Sequence, residues 1–147
     1  MTGEGLVRDL CESLGLKDRD PKTLPGLTLA YVGDCAFEMV VRSTLVESGL
    51  NHVSELNKVA TGIVSAKAQS AFMKTIEDSL EPDEKDVYKR GKNTNSTSIP
   101  KSATRAEYHT ATGFEALMGY LFLMGQTDRI IEICRPILEE IVQKKKG

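Results

Sequence analysis

Two stretches of this chain, far apart in sequence, each set a single acid into an otherwise apolar helical pattern, and any fold has to accommodate both. The first is Leu29-Ala30-Tyr31-Val32-Gly33-Asp34-Cys35-Ala36-Phe37, apolar nearly all the way round, which predicts a helix buried on every face. The second is Ala111-Thr112-Gly113-Phe114-Glu115-Ala116-Leu117-Met118-Gly119-Tyr120-Leu121-Phe122-Leu123, where Glu115 is the sole charge between Glu107 and Asp128. An ionised acid in such surroundings is costly unless a cation meets it. Two solutions are open. Each acid pairs with a nearby basic side chain, as the i,i+4 spacing of Glu38 and Arg42 allows. Alternatively, Asp34 and Glu115 converge on one divalent ion, with Gly33, Gly113 and Gly119 letting their helices approach closely. Hard cations such as Mg2+ take oxygen ligands and often use only one or two carboxylates, with water and substrate phosphate completing the shell. An ion held that way can activate water and stabilise the leaving oxygen in phosphodiester hydrolysis.

The rest of the pattern is helical. Leu6, Val7, Leu10 and Leu14 predict a short amphipathic helix, opened by Thr2 or Glu4 and ending near Gly15. A charged connector, 17–25, carries Pro21 and Pro25. A long helix is expected over about 27–47, stopped by Gly49, with a shorter one after Ser54. Ser65 suits the N-cap of a helix over 66–79, and Pro82 the first turn of one ending at Gly91. The Glu115 helix covers about 104–124. A last helix follows from Thr127 or Asp128, with Pro136 expected to kink it and Lys144-Lys145-Lys146 to fray. No segment alternates with period two, so the class is all-α, six or seven helices in a single domain over 1–147 with its core at about 24–142.

Composition narrows the function. A net charge of -2 in 147 residues announces no polyanion partner by itself. Cys11, Cys35 and Cys134 form no CxxC pair, so neither a disulfide framework nor a zinc knuckle is expected, and Cys35 and Cys134 read as core fillers. The acidic start (Glu4, Asp9, Glu12) has no apolar run of a secretory leader, and no stretch is long enough for a membrane span. A reducing cytoplasm is the expected setting. Phosphate-loop, nucleophile-elbow and zinc-protease motifs are absent, and His52 and His109 read as surface or capping residues. No small-molecule cofactor is implied.

The charge map is more pointed. Between Lys85 and Arg105 lie Lys89, Arg90, Lys92 and Lys101, opposed only by Asp86, with Asn93, Asn95, Ser96, Thr97 and Ser98 among them. A loop of this kind between basic helix ends supplies what a phosphate backbone requires. A solvated loop is the plain alternative. So few aromatics accompany it that stacking on unpaired bases is disfavoured and duplex recognition by shape fits better.

These residues carry a resemblance. Tyr31-Val32-Gly33-Asp34-Cys35-Ala36 resembles the signature helix of the ribonuclease III family, and Phe114-Glu115-Ala116-Leu117-Met118-Gly119 its second acidic motif. Val64-Ser65-Ala66-Lys67-Ala68-Gln69 and Tyr88-Lys89-Arg90-Gly91-Lys92-Asn93 are similar to segments of its Mini-ribonuclease III branch, which lacks the appended double-stranded-RNA-binding domain. The resemblance implies an all-helical homodimer that cleaves double-stranded RNA with Mg2+, in maturation of the large-subunit ribosomal RNA precursor. It also implies Asp34 and Glu115 as catalytic metal ligands, with Lys67, Gln69, Lys89, Arg90, Lys92, Asn93, Lys101 and Arg105 on the RNA. Three acids of the wider family are missing: Leu27, Ala30 and Thr112 stand at those positions, leaving two carboxylates. A non-catalytic RNA-binding or ribosome-associated protein of the same fold is the second reading, and a helical protein-interaction module the third.

Overall fold

The computed structural model describes residues 5–17, 19–94, 99 and 101–146. Thr2, Glu4, Asn95, Ser96, Thr97 and Ser98, named above, lie outside them. The described residues form seven α-helices and no strand: α1 (Leu6–Leu14), α2 (Gly26–Glu47), α3 (Val53–Val64), α4 (Ala66–Ile76), α5 (Pro82–Lys92), α6 (Arg105–Leu123) and α7 (Thr127–Lys146). Short 3-10 turns at Pro21–Thr23 and Glu77–Ser79 precede α2 and follow α4. Among these helices none is long and apolar enough to cross a membrane.

Helix starts follow local chemistry. The Ser65 hydroxyl accepts from the Ala68 N–H at 3.2 Å and opens α4. Pro82 occupies the first turn of α5, where the Glu81 N–H donates to the Glu84 carboxylate at 2.8 Å. Thr104 and Glu107 form a reciprocal box at α6, with bonds of 3.0 and 2.9 Å. The chain leaves α6 through Gly125. The expected fraying at 144–146 is not seen: α7 continues to Lys146, and a Glu140–Lys144 pair at 3.1 Å supports its last turns.

Helix α6 is the centre. α2, α4 and α5 pack around it, and its Phe114, Leu117, Met118 and Leu121 are fully buried. Phe37 of α2 and Phe72 of α4 meet Phe114 edge-on, at 4.9 and 5.9 Å between ring centres. The α2–α6 contact is backbone on backbone. A Cβ added at Gly33 would overlap the Glu115 carbonyl oxygen, and one at Gly119 would overlap that of Leu29. Each glycine is therefore required by the other helix. Arg129 of α7 ties the periphery down, donating to both oxygens of the buried Glu84 at 2.8 Å each and to the Ser79 carbonyl at 3.1 Å.

The all-round burial expected for the first half of α2 does not hold. Tyr31 is 81% and Met39 68% exposed, and Leu27 and Cys35, on the same four-residue stripe, are exposed too. Residues at i, i+4 and i+8 share a face, and α6 covers only the opposite one. For the same reason Cys35 is not a core filler, whereas Cys134 is. The leucines of α1 also face outward, and no residue of that helix is buried.

Candidate active site

The glycine contact decides where the two acids sit. Asp34 follows Gly33 on α2, and Glu115 contributes the backbone oxygen against which Gly33 rests. Their carboxyl groups consequently meet, joined by a side-chain hydrogen bond. Two carboxylates can bond in this way only if one holds a proton. Burial, then the bond to Asp34 and its charge, push the Glu115 carboxyl up to about 8, and the Glu38 charge adds to the rise. Asp34 lies on the exposed side of the pair.

Gln69 works in the other direction. Its amide hydrogen-bonds the Glu115 carboxyl and favours the charged form. The same amide nitrogen donates to the Val64 carbonyl at 3.1 Å, which fixes the side chain at the start of α4. At 2% exposure Gln69 is not placed to touch an RNA duplex, contrary to expectation. It is a positioning residue for Glu115. The signal was available: a glutamine one turn inside a helix start can bond back to the chain entering that helix.

No ion pair to Asp34 or Glu115 occurs among the described residues, so the pairing alternative fails for both. Glu38 does pair with Arg42, at 3.5 Å. Nor do three or more His, Cys, Asp or Glu side chains converge among those residues. The cluster is two oxygen acids that repel when both are ionised, with no protein cation between them. That donor set fits a hard divalent cation that completes its shell with water and phosphate oxygens.

The basic residues divide. Lys67, Lys89, Lys92, Asn93, Lys101 and Arg105 are exposed, with Asn93 closing α5. Arg90 turns inward instead: its Nη1 donates to the Leu24 carbonyl at 2.8 Å and its Nε lies 3.4 Å from Asp86. One nitrogen of this guanidinium anchors the entry to α2, while Nε and Nη2 are buried without a hydrogen-bond partner, so Arg90 is turned away from the exposed face that the other basic side chains share. Lys92 and Asn93 meet Thr104 across a cavity at the start of α6. His52 is exposed at the start of α3, but His109 is partly buried, and its Nδ1 has no hydrogen-bond partner.

Comparison with known proteins finds relatives over most of the chain. Residues 27–126 match the family model described as the Ribonuclease III domain. A Mini-ribonuclease 3 of Symbiobacterium thermophilum is 46% identical over 114 residues, covering 78% of this chain and 88% of that protein. The Mini-ribonuclease 3 of Enterococcus faecalis is 42% identical over 125 residues, 84% of this chain and 95% of the other. A crystal structure of a protein from Fusobacterium nucleatum superposes with a TM-score of 0.75 at 34% identity, covering 82% of this chain and 98% of that one.

Proposed function

The chain belongs to the ribonuclease III family, within its Mini-ribonuclease III branch, and from that premise we propose that it is an endoribonuclease of double-stranded RNA working through Asp34 and Glu115 with Mg2+. The observation that carries this reading is the carboxyl pair brought together by α2 and α6 with no protein cation against it. Asp34 and Glu115 would hold the ion. When bound, Mg2+ acidifies a water and offsets the charge that develops on the phosphodiester. Gln69 holds Glu115 in place from behind, and Glu38 deepens the negative potential that attracts a cation. Lys67, Lys89, Lys92, Lys101, Arg105 and Asn93 hold duplex phosphates, an affinity that falls steeply with salt.

Two further parts of the proposal are assembly and substrate. The apolar stripe of Leu27, Tyr31, Cys35 and Met39 has no cover among the described residues. A second copy placing the same stripe against it forms a two-fold homodimer with one acid pair per RNA strand. The RNA is the large-subunit ribosomal RNA precursor, which supplies long duplex segments. The test is cleavage of a long RNA duplex with Mg2+, with EDTA, and by Asp34→Asn and Glu115→Gln. Cutting by wild type with Mg2+ alone is the expected result. Equal cutting by wild type and Asp34→Asn would remove the acid pair from the mechanism.

A further inference from the structure

A cavity of about 550 Å³ opens between α4, the C-terminal end of α5 and the first turns of α6. Ser70, Lys74, Lys92, Asn93, Thr104 and His109 line it. Only Lys92 and Asn93 stand out in the sequence as RNA contacts; the other four come from elements that the fold gathers here. Two ammonium groups face one carboxylate, that of Glu107, which leaves a surplus positive charge. Glu107 is also occupied, accepting from the Thr104 N–H at 2.9 Å. Lys92 sits 5.8 Å over the Tyr88 ring, which holds its ammonium at the rim.

His109 adds a second sign. Its buried Nδ1 has no partner, and a buried polar atom left unpaired is destabilising, so such atoms are normally satisfied by something. Ser70, Thr104 and Asn93 offer neutral donors and acceptors beside it. Cations together with hydroxyl and amide groups suit one phosphate and the ribose hydroxyl next to it.

The cavity is also tied to the acid pair. Ser70 follows Gln69, the residue against Glu115. His109 precedes Glu115 by less than two turns of α6, about 9 Å along the helix axis. Six positions also turn His109 about 120° around α6 from Glu115, so the opening lies beside the acid pair, on an adjacent face of the helix.

We propose that the cavity is a backbone subsite for duplex RNA: Lys74 and Lys92 hold a phosphodiester near the cut, while Ser70, Thr104 and His109 reach its oxygens and the adjacent 2′-hydroxyl. The inference rests on the RNA-cleaving reading, and it assigns Lys74 and His109 to substrate binding.

The experiment measures steady-state cleavage of one RNA duplex by wild type, Lys74→Gln, Lys74→Arg and His109→Gln across a salt series. Lys74→Gln is expected to raise KM several-fold, with kcat within about twofold, and to reduce the log–log salt slope by about 1. Lys74→Arg should restore both. His109→Gln should raise KM with little change in slope. Unchanged KM and slope in Lys74→Gln and His109→Gln overturn the subsite while leaving the nuclease reading intact; no cutting by wild type overturns both. A parallel arm at constant ionic strength adds inorganic phosphate. If Lys74→Gln alters phosphate inhibition without altering duplex KM, the cavity takes a free anion and the proposal fails.

Discussion

Asp34→Asn should abolish cleavage and yet make the metal-free protein more stable. Glu115 rises from an ordinary 4.5 to about 8 in the folded chain. Carried wholly into stability, that rise corresponds to roughly 5 kcal/mol against the ionised folded state. Burial is its largest cause and survives the substitution, and the position is partly exposed. The share removed with the Asp34 charge is therefore about 1–2 kcal/mol. A carboxyl whose folded pKa is raised binds more protons when folded, so the wild type loses stability as pH rises from about 4.5 to about 8. The variant loses less over the same window. Thermal unfolding in EDTA should show no gap near pH 4.5 and a melting temperature about 3–6 °C higher for Asp34→Asn at pH 8. With Mg2+ well above its dissociation constant the order should reverse, because an ion that binds only the folded wild type stabilises it by an amount that grows with the logarithm of its concentration. Duplex cleavage should fall by about a hundredfold or more. An Asp34→Asn protein that melts at or below wild type at pH 8 in EDTA would refute the shared-proton account.

Other sites give sharper contrasts. Gly33→Ala or Gly119→Ala puts a methyl group into the facing backbone and should cost more than about 3 kcal/mol in denaturant unfolding. Gly62→Ala, within α3 and facing open space, should instead stabilise by about 0.5–1 kcal/mol in the same assay. Arg129→Met leaves the buried Glu84 carboxylate unpaired and should cost about 3–5 kcal/mol, with much of the loss recovered by adding Glu84→Gln. Burial alone would raise Glu84, but bonds from Arg129 and the Glu81 backbone hold it below the ordinary range. The stability it contributes is present above pH 4.5 and is lost as pH falls below that. Tyr31→Lys with Met39→Lys should convert the proposed dimer to a monomer by light scattering; an unchanged dimer mass would place the subunit contact elsewhere, and a monomeric wild type would remove the proposed assembly.

Much of this was readable from residues with short-range chemistry. Ser65 and Pro82 mark helix starts because a capping hydroxyl bonds within three residues and a proline suits a first turn, and the structure uses both. The two acids were legible because charge is scarce around them. Apolar character on every side of α2 does not say which side another helix covers; α6 takes one face and leaves Tyr31 and Met39 outside. Gln69 and Arg90 lie deeper than their sequence surroundings suggest for a related reason. Polar side chains in a basic or polar run read as surface, but each has an acceptor supplied by a neighbouring turn or a distant loop, the Val64 and Leu24 carbonyls. His109 looked like a capping residue, and only the packing of α4 and α5 around α6 encloses it.

The α2–α6 contact thus serves stability and chemistry in opposite ways at adjacent residues. At Gly33 and Gly119 the two demands coincide: without close backbones the core does not close and the carboxyls do not meet. At Asp34 and Glu115 they conflict, since the approach that packs the helices also forces two acids together and raises one of them to about 8. A chain selected for folding alone would keep the glycines and replace an acid with an amide. The presence of both acids beside Gly33, with Glu38 adding a further negative charge, places a repulsion where a cation can relieve it. Glycine substitutions should therefore lose folding and cutting together. Acid-to-amide substitutions should separate them, and that separation is the signature expected of a functional cluster at this contact.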